Sequence, residues 1–112
     1  MAKIRAIIKR TDEAFGHMTN ISPRLENLQK LVGGYIEAVT IRPGLVILCD
    51  EEGKLKDYKE NMRIPCDYLD DVFYGDIVVL GAEGEEFTDI PIEFAQWKEL
   101  VKKYQEGDRC RD

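Results

Sequence analysis

One histidine, one serine and one tryptophan in 112 residues leave little material for several common chemistries. Serine-histidine hydrolysis needs a hydroxyl, a base and an orienting carboxylate brought together. Ser22 stands directly before Pro23 and reads as a helix cap, and His17 falls in a turn or short strand where a solvated side chain is the plainer reading, so this chemistry is disfavoured. The three cysteines, Cys49, Cys66 and Cys110, are odd in number and widely spaced, unlike a disulfide framework or a zinc site, and reduced thiols are expected. Cys49 ends an apolar stretch without basic neighbours and reads as a small buried hydrophobe rather than a thiolate.

Long apolar runs are also missing. "LVILC" at 45–49 and "DIVVLGA" at 76–82 fall far short of the roughly 20 residues that span a bilayer. "MAKIRAIIKR" has too few apolar residues between its basic ones for a secretory segment, so a cytoplasmic protein with no membrane partner is expected. Positive charge is scarce: 16 Lys and Arg against 22 Asp and Glu give a net charge of −6. Binding duplex nucleic acid by phosphate neutralisation needs clustered cations, so that partner is not expected. The acidic surface is suited to solubility, or less commonly to mimicking a nucleic-acid backbone against a host enzyme.

What is present describes one globular domain over 1–112, with a loose charged tail from about residue 107. "KIRAIIK" alternates as a half-buried strand with Ile4, Ala6 and Ile8 on one side, and "HMTNI" returns beside it. Ser22 and Pro23 open a helix over about 23–32, where Leu25, Leu28, Leu31 and Val32 form one stripe. "YIEAVTI", the turn "RPG" and "LVILCD" form a hairpin. Residues 54–75 show no sustained period, whereas "DIVVLGA" reads as a buried strand. Asp89 and Pro91 open a second helix over about 90–105, with Phe94, Trp97, Leu100, Val101 and Tyr104 as its stripe and Gly107 after it. The expected class is α+β: a mainly antiparallel sheet with the two helices packed on one face or end. An open sheet edge on so small a core favours a homo-oligomer.

Carboxylates cluster at Asp50, Glu51 and Glu52 and at Asp67, Asp70 and Asp71. Neither spacing fits a calcium loop, so solvated turns are expected, with no metal and no cofactor. Gly33 and Gly34 raise the question of a phosphate cradle. Such loops lead from a strand into a helix N-terminus, whereas these glycines follow a helix and read as its left-handed stop and a hinge.

"LQKLVGGYIE", then an apolar strand running into "LCDEEGKL", an asparagine at position 61 and later "GDIVVLG" resemble a family of small, uncharacterised domains encoded by phages and other mobile elements. The likeness covers about residues 3–88; "KDYKEN" and the long C-terminal helix depart from the pattern. It implies, by analogy of setting, a non-enzymatic anti-defence protein with no catalytic residues. The partner would be a nucleotide-like immune signal, sequestered as by a sponge, or a host defence protein inhibited by direct contact. For a nucleotide, Tyr35 would stack on the base, Asn61 and Arg63 would meet polar edges and phosphate, and Glu37 would accept a ribose hydroxyl. Each also has a plain structural reading, as core edge, turn former, surface charge and solvated strand face respectively.

Overall fold

The computed structural model describes residues 2–66 and 69–107. Ten elements follow one another: β1 (Ile4–Lys9), β2 (His17–Ile21), α1 (Leu25–Val32), β3 (Ile36–Arg42), β4 (Leu45–Asp50), β5 (Glu60–Pro65), β6 (Asp70–Tyr74), β7 (Ile77–Glu83), β8 (Glu86–Thr88) and α2 (Phe94–Gln105). Six strands make one antiparallel sheet in the order β2-β1-β7-β4-β3, with β8 also paired to β7, and β5 and β6 make a separate hairpin. The expected α+β class and mainly antiparallel sheet hold.

The strand period decides which layer each side chain enters, because successive residues point to opposite faces. Ile7, Leu45, Ile47, Ile77 and Val79 enter one apolar cluster, while Ala6, Ile8, Val46, Leu48, Val78 and Leu80 enter another. The middle strands are therefore apolar on both faces, which is why "LVIL" and "IVVL" read as unbroken runs. Leu28 and Val32 of α1 join the second cluster; Trp97, Leu100, Val101 and Tyr104 of α2 join the first, together with Met62, Ile64 and Phe73 of the hairpin. The helices thus cover opposite faces of the sheet, rather than sharing one face or end. A sheet hydrophobic on both sides requires a cover on each.

Both helices begin later than expected. Ser22 does not cap α1: its Oγ accepts the Arg24 N–H at 3.3 Å, closing a tight turn that delays the first helical residue to Leu25. Asp89 accepts the Arg5 N–H at 2.8 Å and so ties the approach of α2 to β1, and the helix starts at Phe94, where the Gln96 side chain accepts the Glu93 N–H at 2.8 Å. Gly33 is the expected left-handed stop, with φ +93°, and the Gln29 carbonyl accepts both the Gly33 and Gly34 N–H groups. Apart from Gly107, the expected loose tail lies outside the described residues.

Residues 54–75, which show no period in sequence, contain the β5–β6 hairpin. Its register slips at Asn61, between Glu60 and Met62, and this irregularity scrambles the alternation that would have marked a strand.

Candidate functional site

Two polar clusters fasten the segment between β4 and β7 to the main sheet. At the first, the Asp50 carboxylate, 1% exposed, accepts Lys56 Nζ at 2.7 Å, the Tyr58 hydroxyl at 3.1 Å and the Glu52 N–H at 2.9 Å. Burial pushes the Asp50 carboxyl upward, but the bonds from Lys56, the Glu52 backbone and Tyr58 outweigh it and hold the group below the ordinary carboxylate range. Lys56 also donates to the Gly33 carbonyl at 3.2 Å, placing a cation where the α1 dipole is negative. Asp50 is therefore not the solvated turn residue that its acidic neighbours suggested. Glu51 and Glu52 are exposed as expected, and Asp67 lies outside the described residues.

This cluster gives the glycine pair a second reason to exist. A Cβ on Gly34 would lie 2.7–2.9 Å from the Asp50 carboxylate atoms, and one on Gly33 would lie 2.7 Å from the Tyr58 hydroxyl. The glycines end the helix and also admit a buried carboxylate.

At the second cluster, Lys9 is 2% exposed at the end of β1. Its Nζ donates to Asn61 Oδ1 at 2.9 Å and to the Asn61 carbonyl at 3.3 Å, while Asn61 Nδ2 donates to the carbonyls of Lys9 at 2.8 Å and Gly75 at 2.9 Å. Burial lowers the Lys9 pKa, and the charge of Glu13 offsets part of that effect. The Asn61 side chain is thus engaged within the protein on both its donor and acceptor atoms.

Beside Asn61 opens a cleft of about 640 Å³, lined by Glu60, Asn61, Met62, Arg63 and Pro65 of β5 and, from α2 and the turn after it, by Val101, Tyr104, Gln105 and Gly107. Its volume lies within the roughly 300–1,000 Å³ typical of small-molecule sites. Arg63 pairs with Asp70 at 2.9 Å, with the two side chains 57% and 43% exposed. Of the four residues singled out for a nucleotide, the cleft brings together Asn61 and Arg63. Glu37 lines a separate hollow of about 250 Å³ with Cys49, Lys54 and Asp71, and Tyr35, 66% exposed, lines neither. The four do not converge on one site.

Cys49 is free and buried, and burial with the nearby Glu37 carboxylate pushes its thiol up to about 12. Cys66, in contrast to the expectation of reduced thiols, is disulfide-bonded, and Cys110 lies outside the described residues. His17 is exposed, with Nδ1 3.1 Å from the Glu13 carboxylate. Among the described residues no three His, Cys, Asp or Glu side chains converge as a metal site would require. No helix among them is long and apolar enough to cross a membrane.

A family model described as a domain of unknown function, DUF3846, matches residues 4–105. The chain belongs to the DUF3846 family. The match extends from the first residue of β1 to the last of α2, so it spans the main sheet, the hairpin and the lining of the cleft apart from Gly107. No match is found among curated proteins or among solved structures.

Sequence reasoning missed the α2 wall, whose Val101 and Tyr104 looked like ordinary core stripe, and it missed the fastening residues Lys9, Asp50, Lys56 and Tyr58. A signal for two of them existed. Lys9 and Asp50 each close a strongly apolar strand with a charge, a position that solvent or a specific partner must satisfy.

Proposed function

We propose that this DUF3846 protein is a non-enzymatic binding protein of a phage or other mobile element, which sequesters a nucleotide-like signal of a host defence system in the cleft between β5 and α2. The observation that carries this reading is the cleft itself, of a volume suited to a nucleotide, with exposed Arg63 on its lining. An exposed ion pair is worth only about 0–1 kcal/mol, so Arg63 exchanges Asp70 for a phosphate at little cost and gains a charge-assisted contact. The engagement of Lys9, Asp50 and Cys49 inside the fold also favours binding over catalysis. The same proposal places the protein in the host cytoplasm and assembles it as a homo-oligomer through the open edge of β3, the terminal strand of the main sheet.

Thermal-shift screening and native mass spectrometry against cyclic and ADP-ribose-type nucleotides test the proposal. A bound nucleotide, recovered unmodified after denaturation and held at least tenfold more weakly by Arg63→Ala, is the expected result. No bound nucleotide, together with salt-sensitive capture of a host nucleic-acid enzyme, would replace this reading with that of an acidic protein inhibitor.

A further inference from the structure

The strand that lines the cleft has two edges, and β6 occupies one of them. Cys66 and Leu69 exchange both main-chain bonds, at 3.0 and 3.2 Å, which sets the alternation along the hairpin. Ile64 opposite Asp71 and Met62 opposite Phe73 therefore point their main-chain groups inward, towards β6, while Arg63 and Pro65 point theirs outward. The cleft is lined by β5 on one side and by α2 and its C-terminal turn on the other, so it runs along this outer edge. Among the described residues nothing bonds the main-chain N–H or C=O of Arg63.

The edge is too interrupted to receive another strand. Pro65 has no N–H to offer, the register slips at Asn61, and the Asn61 carbonyl is already taken by Lys9. One complete donor and acceptor pair remains, at Arg63. A single such pair matches a planar base better than an extended peptide.

We infer that the Arg63 main chain reads the edge of an adenine-type base, its N–H donating to the ring nitrogen N1 and its C=O accepting from the 6-amino group. The inference rests on the binding function proposed above and narrows its ligand to nucleotides whose base presents an acceptor beside a donor. Hypoxanthine presents the reverse order, an N1–H donor beside a 6-oxo acceptor, so it meets the same main-chain pair with like against like. A site built on hydrogen bonds discriminates strongly against such a mismatch.

Adenosine and inosine monophosphate, identical in sugar and phosphate, separate the two levels of the argument when titrated into the isotopically labelled protein by NMR. The expected result is at least tenfold tighter binding of the adenine nucleotide, with a downfield shift of the Arg63 amide proton that the inosine nucleotide does not produce. Equal affinity, or an unmoved Arg63 amide on adenine binding, overturns the base-reading inference and leaves nucleotide binding standing. Binding of neither overturns the inference and counts against the proposed function as well. Arg63→Pro, which deletes the donor, is expected to remove the preference; because this variant can fail to fold, the amide shift of the unaltered protein carries the decision.

Discussion

Ile47 in β4 lies fully buried in an apolar cluster, whereas Asn61 in β5 is tied to Lys9 and Gly75 by polar bonds. The two regions these residues represent differ in the same way. The main sheet is secured by apolar layers on both faces, and burial of this kind tolerates changes of shape so long as volume and patterning are kept. The segment between β4 and β7 also reaches that core through Met62, Ile64 and Phe73, but its position along the sheet is marked by Asp50 and Asn61. Apolar contact is non-directional; a carboxylate with three donors, or an amide with its donor and acceptor both engaged, permits one arrangement.

Breaking the second cluster should have the largest effect. Asn61→Ala leaves the Lys9 ammonium buried without its side-chain acceptor and is expected to cost about 3 kcal/mol in urea unfolding. Lys9→Met combined with Asn61→Leu should recover more than half of that loss, because replacing both partners removes the unpaired charge. A loss below about 0.5 kcal/mol for Asn61→Ala, the size usual for exposed surface changes, would show that the hairpin is positioned by apolar packing alone.

A smaller effect is expected at the first cluster. Gly34→Ala drives a methyl group to within 2.7–2.9 Å of the Asp50 carboxylate atoms and should cost about 1–3 kcal/mol. The cost should shrink in an Asp50→Ala background, since the obstacle is then gone, and a double-mutant cycle measures the coupling. Additive costs would mean that Gly34 serves the helix stop without regard to Asp50.

The smallest effect at ordinary pH, and a growing one in acid, concerns Asp50 and Asp71. Burial raises both carboxyls, but hydrogen bonds outweigh it and hold them low: from Lys56, the Glu52 backbone and Tyr58 for Asp50, and from Lys54 and the Val72 backbone for Asp71. A carboxyl with a depressed folded-state pKa stabilises the fold fully above its unfolded value, about 3.9, and this contribution disappears as pH falls towards the folded value. Urea midpoints should therefore fall steadily below about pH 4. Asp50→Asn should flatten that acid limb; an unchanged limb would assign it to other carboxylates.

The same contrast explains what could be read in advance. The stripes of both helices carry their period in the chain, because contact with a core face imposes it, whereas β4 and β7 show as unbroken apolar runs because both faces of the sheet are covered. The ends of the helices were less legible, since Ser22 and Asp89 form bonds that compete with capping, one within a local turn and one to Arg5. The hairpin was not legible because the irregularity at Asn61 shifts the alternation partway through β5. Asn61 and Arg63 were singled out only as groups that a nucleotide's polar edges and phosphate would need, and they do share a cleft. The opposite wall did not stand out: Val101 and Tyr104 belong to an ordinary apolar stripe, and only tertiary contact makes part of that stripe the side of a cavity.

The tryptophan of α2 has a practical consequence. Trp97 is the single tryptophan of the chain, it is fully buried, and its Nε1–H donates to the Phe15 carbonyl in the turn between β1 and β2 at 2.8 Å. Its fluorescence thus reports a helix that forms one wall of the cleft, through a side chain that also bonds the turn between β1 and β2. A blue emission maximum marks the docked helix, and a red shift marks its release into water. The protein carries its own optical gauge, so the seating of α2 can be followed in one cuvette without attaching a dye.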